Sequence, residues 1–96
     1  MKNRTRIDIY SMMLEALDQS DNGLKITRLS YAVGIPTDRA RRYLNMLLSA
    51  GLVAPNLLDH SYYVITNHGK KFLESFYVLR GYMKEMDGDL DKMDFK

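Results

Sequence analysis

Apolar residues recur every three or four positions along much of this chain, and the polar residues between them mark the side that each segment turns to water. The clearest case runs from Thr37 to Ala50. Ala40, Tyr43, Leu44, Leu47 and Leu48 form one stripe on a helical wheel of about 100° per residue. Asp38, Arg42, Asn45 and Ser49 lie opposite, with Arg39 and Arg41 on the two flanks. Pro36 supplies a fixed φ at the entrance, Thr37 or Pro36 is the first-turn residue, and Gly51 stands where a left-handed cap is wanted. A shorter helix precedes, with Ile26, Leu29, Ala32 and Val33 inward, and Gly34 permits the sharp turn between the two.

The other segments read in the same way. Ile7, Tyr10, Leu14 and Leu17, supported by Met13, predict a first helix from about Arg6 to Gln19, ended by Ser20-Asp21-Asn22-Gly23. After Gly51, Leu52-Val53-Ala54 is a short strand and Pro55 to His60 a turn. Ser61-Tyr62-Tyr63-Val64-Ile65, rich in aromatic and β-branched residues, is a second strand. Gly23-Leu24-Lys25 would complete a three-stranded sheet. Thr66 is a natural N-cap for a last helix from near Asn67 to about Met86. The predicted class is mainly α with a small β-hairpin (α+β), in the order helix, helix, helix, hairpin, long helix. Two short helices joined by a tight turn and followed by a hairpin make a winged helix-turn-helix.

In the last helix Phe72, Phe76, Leu79, Met83 and Met86, continued by Leu90 and Met93, alternate steps of four and three, the spacing of a coiled-coil seam. Leu73, Tyr77 and Arg80 offer a neighbouring face. One face would pack on its own domain and the seam on a second copy; the alternative is one wide stripe docked within the molecule. Gly81 and Gly88 each cost a helix about 1 kcal/mol relative to alanine. The expected division is therefore a core over residues 1–66, a dimerisation helix over 67–86 and an acidic, frayed tail over 87–96.

Composition narrows the choice. A chain of 96 residues makes one domain, and the absence of cysteine excludes disulfides and thiolate zinc sites. No apolar run approaches the roughly 20 residues of a membrane span, and the N-terminus does not read as a secretory leader, so the expected compartment is the cytoplasm. Net charge is +2, but the tail holds two of the fourteen basic and four of the twelve acidic residues, leaving +4 on residues 1–86. That balance favours a polyanionic partner without establishing one.

Three pieces of the chain resemble the small archaeal winged-helix DNA-binding regulators. These are Gly34-Ile35-Pro36 in the turn, Leu47-Leu48-Ser49-Ala50-Gly51-Leu52-Val53 at the helix exit, and Tyr63-Val64-Ile65-Thr66-Asn67-His68-Gly69-Lys70-Lys71-Phe72-Leu73 leading into the last helix. The likeness runs from about Arg4 to Met86. It implies DNA binding through the third helix and the wing, and a homodimer formed by an antiparallel coiled coil of the last helices. It implies no catalysis and no cofactor.

On this reading Thr37, Arg41, Arg42 and Asn45 enter the major groove of double-stranded DNA. Arg28, Tyr31, Arg39 and Lys70 hold phosphates, with Arg4 and Arg6 as further candidates. The wing departs from the usual pattern. Its turn offers Asn56, Asp59 and His60 and no permanent cation, so a short, passive wing is expected. His60 and His68 lack the spacing and partners of a metal site. No nucleophile and base assemble and no phosphate-cradling glycine loop is present, so an enzyme is not expected. The role is that of a transcriptional regulator or a chromatin-type architectural protein. The rival reading, favoured by the neutral wing and acidic tail, is a protein-interaction module that does not bind DNA.

Overall fold

Thr5 and Asp8 start the first helix by satisfying each other's backbone. The Asp8 N–H donates to Thr5 Oγ1 at 3.2 Å and the Thr5 N–H donates to Asp8 Oδ2 at 3.0 Å, a reciprocal capping box. The computed structural model describes residues 5–92, so Arg4 and Met93 lie outside the described residues. From this cap the chain runs through α1 (Arg6–Gln19), β1 (Leu24–Lys25), α2 (Ile26–Val33), α3 (Thr37–Ser49), β2 (Val53–Pro55), β3 (Tyr62–Ile65) and α4 (Asn67–Lys92). The order and class are those the periodicity predicts.

The three strands form an antiparallel sheet in the order β1-β3-β2, with Leu24 opposite Tyr63, Lys25 opposite Tyr62 and Val53 opposite Ile65. The expected third strand is thus present, only two residues long. Gly23 leads into it at φ 95°, and a Cβ there would overlap the Tyr63 carbonyl. Only glycine lets the chain pass so close to β3.

One apolar core joins the elements. Ile9, Met13, Leu14 and Leu17 of α1 meet Leu29 and Val33 of α2, Ile35 of the turn and Ala40, Leu44 and Leu47 of α3, and Leu52, Val53 and Leu73 close it. Each fully buried large aliphatic side chain contributes about 1.5–3 kcal/mol of transfer free energy. Tyr10 and Tyr43 add an edge-to-face contact between α1 and α3, with ring centroids 5.5 Å apart.

Three expectations need correction. The inward stripe of α1 is Ile9, Met13, Leu14 and Leu17, whereas Ile7 is 42% exposed. Both sets have helical phase because α1 is apolar on more than one side, and tertiary packing selects between them. In α2, Ala32 is exposed and Ser30 is buried in its place. A buried hydroxyl is tolerated there because Ser30 Oγ donates to the Ile35 carbonyl at 2.6 Å. The last helix is longer than expected: its backbone is helical to Lys92, beyond the predicted end near Met86. Extending a formed helix adds one hydrogen bond per residue, which offsets the cost of Gly88.

Candidate nucleic-acid interface

Ser30 organises the junction between α2 and α3. Its carbonyl accepts from the N–H groups of Gly34 at 2.9 Å and Ile35 at 3.2 Å, and its hydroxyl receives a long contact from Thr37 Oγ1 at 3.4 Å. Gly34 caps α2 at φ 77°, the left-handed conformation that glycine adopts without strain. Pro36, at φ −60° and ψ 151°, then starts α3. Gly51, at φ 77°, ends it together with a Leu52 N–H to Leu47 carbonyl bond of 3.0 Å. Both ends of α3 are fixed by backbone bonds, so its orientation follows from the core and not from the groups it presents.

With Ala40, Leu44 and Leu47 buried, Asp38, Arg39, Arg41, Arg42, Asn45 and Ser49 are all exposed. The guanidinium-bearing side faces outward. Met46, 56% exposed one turn beyond Arg42, also belongs to this face, although it stands outside the predicted set of contacts. A thioether there is an apolar surface of the kind that meets a thymine methyl. Thr37 is half-buried, its hydroxyl directed to Ser30, so it shapes the start of α3 more than it extends outward.

The other predicted contacts are spread over several elements. Arg28 and Tyr31 are exposed on one face of α2, Tyr31 at 84%. Arg6 is exposed in the first turn of α1. Lys70 is exposed too, but it lines clefts with Leu17, Asp18, Ser20, Asp21 and Tyr77 at the α1–α4 junction, and no α3 residue shares them. Carboxylates beside Lys70 weaken its attraction for a polyanion.

The wing uses its polar groups internally. Asn56 Oδ1 accepts from the N–H groups of Leu58 at 2.7 Å and Asp59 at 3.3 Å, and Asn56 Nδ2 donates to the Asn22 carbonyl at 3.0 Å. Asp59 Oδ1 accepts from the Ser61 N–H at 3.0 Å and from Ser61 Oγ at 2.7 Å. These bonds from Ser61 hold the Asp59 carboxyl below the ordinary carboxylate value, with the charges of Lys25 and His60 adding to the effect. Leu57 and Leu58 form the tip, 91% and 98% exposed. A cation does reach the wing, from β1. Lys25 Nζ lies 5.4 Å from the centroid of the Tyr62 ring, a placement that strand pairing creates and turn composition conceals.

Along α4, Leu73 is buried in the core and Phe72 packs against it, so the first turns dock on the domain. Phe76 is half-buried, with the Arg80 guanidinium 6.0 Å from its ring centroid. The two predicted faces therefore both serve the molecule itself near Leu73. Beyond it Val78, Leu79, Tyr82, Met83 and Met86 are about half exposed or more. A groove of about 570 Å³ runs between α1 and α4, with Ile7, Met12, Phe76, Leu79 and Met83 among its lining residues. Among the described residues no helix is long and apolar enough to cross a membrane, and no group of three acidic, histidine or cysteine side chains could hold a metal ion.

Three helices in succession, a tight α2–α3 turn and a hairpin wing define a winged helix-turn-helix. The chain belongs to that family, whose model matches residues 3–84. No curated protein matches the sequence. Among solved structures it is similar to a mutant of MepR from S. aureus, at a TM-score of 0.66 and 18% identity over 90% of this chain and 76% of that one. It is also similar to a MarR family transcriptional regulator from Silicibacter pomeroyi, at 0.65 and 22% identity over 90% of this chain, which spans 61% of that one. At such identities the likeness speaks for the fold.

Proposed function

We propose that the protein is a homodimeric DNA-binding regulator that inserts α3 into the major groove. The observation that carries this reading is the outward side of α3, where Arg39, Arg41, Arg42 and Asn45 are exposed over a helix whose opposite stripe anchors it in the core. Arg41, Arg42 and Asn45 suit base edges, since guanidinium and amide groups make paired hydrogen bonds to guanine and adenine. Arg39, Arg28 and Tyr31 suit phosphates. The exposed apolar residues of α4 beyond Leu73, among them Leu79, Met83 and Met86, support pairing of that helix with its counterpart in a second copy. The name of the Silicibacter pomeroyi neighbour supports a regulatory role.

Selection of bound duplexes from a random pool, combined with light scattering, tests both parts. An enriched palindrome with the mass of two chains is the expected result; tight binding without enrichment indicates an architectural role. If about six phosphates are neutralised per dimer, log affinity falls with log salt at a slope near −5. Arg42→Ala costs about 1–3 kcal/mol where Arg42 reads a guanine. Unchanged duplex affinity after replacing both Arg41 and Arg42 would refute the placement. Absence of micromolar duplex binding at low salt indicates a protein-interaction module instead.

A further inference from the structure

Resting on the reading of α3 as a groove-binding helix, we propose that the wing side of the interface grips the DNA backbone through Lys25 of β1, and not through the loop at the wing's tip. The loop has little to offer a phosphodiester. Both of its polar side chains with fixed geometry, Asn56 and Asp59, already hydrogen-bond within the turn or to Asn22, and Leu57 and Leu58 at the tip are apolar.

Lys25 is different in each respect. It is exposed, it carries a permanent charge, and its place is set from two directions. Pairing of β1 with β3 puts it opposite Tyr62, and its ammonium sits over the Tyr62 ring at 5.4 Å from the centroid. A ring face attracts the ammonium without consuming its donors, so Lys25 is held in place yet can still donate to a phosphate oxygen. The residue also opens a line. Lys25, Arg28 and Tyr31 follow at steps of three, the separation at which helical side chains stand beside one another, and all of them are exposed. This line carries two cations and a phenol from the wing along α2. The Asp59 carboxylate, which feels the Lys25 charge, opposes phosphate binding at this spot and sets a limit on its strength.

The test is duplex binding by the full chain across a salt series, on two unrelated sequences. Lys25→Ala is expected to weaken both duplexes alike and to make the log–log salt slope shallower by about 1 per protomer. A fourfold rise in salt then costs the variant about 3.5-fold less affinity per protomer than it costs the parent. Lys25→Arg is expected to keep the parental slope. Asp59→Asn, which retains an acceptor for Ser61, is expected to tighten binding. A parental slope in Lys25→Ala, with Arg41→Ala/Arg42→Ala still weakening binding, overturns this inference and leaves the α3 reading intact. So does a loss of affinity confined to Leu57→Ser/Leu58→Ser, which would make the tip the contact. Failure of the parent to bind duplex at low salt overturns both readings.

Discussion

The Tyr77 hydroxyl donates to the Glu15 carboxylate at 2.5 Å, tying α4 to α1 one turn beyond Leu73, the last fully buried residue of the long helix among those described. From this contact on, the residues of α4 up to Met86 are all exposed. The contact also couples two elements separated by most of the sequence, which neither helix's own periodicity could reveal.

That bond has a signature in alkali. The hydrogen bond to Glu15, with some desolvation and the charges of Glu15 and Asp18, pushes the Tyr77 phenol up to about 12 from its ordinary value of 10.0. Because the folded state holds this proton more tightly, the stabilisation is complete below about pH 10 and is lost as pH rises towards 12. A phenolate absorbance titration is expected to show one late component that Tyr77→Phe removes. The side chain is 43% exposed, so the substitution costs less than about 1 kcal/mol in thermal unfolding at neutral pH.

Two glycines of α4 respond to alanine with opposite signs. A Cβ at Gly69 would overlap the Leu52 carbonyl oxygen and lie 2.7 Å from Ile65 Cγ1, whereas one at Gly81 meets nothing within 4 Å. Gly69→Ala is expected to destabilise the fold by about 1–3 kcal/mol by forcing α4 away from the sheet. Gly81→Ala is expected to stabilise it by up to about 1 kcal/mol. Denaturant midpoints of the two variants check both.

Ser30→Ala removes the donor to the Ile35 carbonyl in the α2–α3 turn. The cost is about 1–2 kcal/mol, since a carbonyl inside the turn is left without that bond. Amide exchange is expected to quicken around Gly34 and Ile35 before it does in α1, because the loosening starts at the turn.

Acid weakens the bonds that Asp59 makes in the wing. The bonds from Ser61 keep the Asp59 carboxyl below its ordinary value of 3.8, so its contribution is present above that pH and is lost as pH falls through the lowered value. NMR titration is expected to show the Ser61 amide shifting with the Asp59 carboxyl, below the range of ordinary aspartates. Asp59→Ala should leave Ser61 insensitive to pH over the same range.

Much of this protein was legible in its residues because local rules act locally. The stripe of Ala40, Tyr43, Leu44, Leu47 and Leu48 determines which side of α3 is buried, and so exposes Arg41, Arg42 and Asn45 whatever the neighbours are. Gly34, Gly51 and Thr66 announce turns and caps by their own conformational chemistry. Thr66 Oγ1 does accept from the Gly69 N–H at 3.0 Å, as an N-cap should. The capping box of Thr5 and Asp8 is equally local, but the apolar periodicity that locates α1 does not show it.

Other features depended on which surfaces meet. Ile7 and Ile9 have equal claims to the core by periodicity, and the approach of α2 and α3 to one side of α1 buried Ile9 and left Ile7 beside the groove. Ser30 entered the interior because the turn needed a donor there. Lys70 found itself among carboxylates, and Lys25 beside a wing whose own turn has no lysine or arginine, through pairings between distant segments. The sequence alone determined the elements, their order and the exposed side of α3, since each follows from one segment's pattern. Only tertiary structure decided which of two apolar faces was buried and which charges became neighbours, because both are relations between surfaces that no single segment contains.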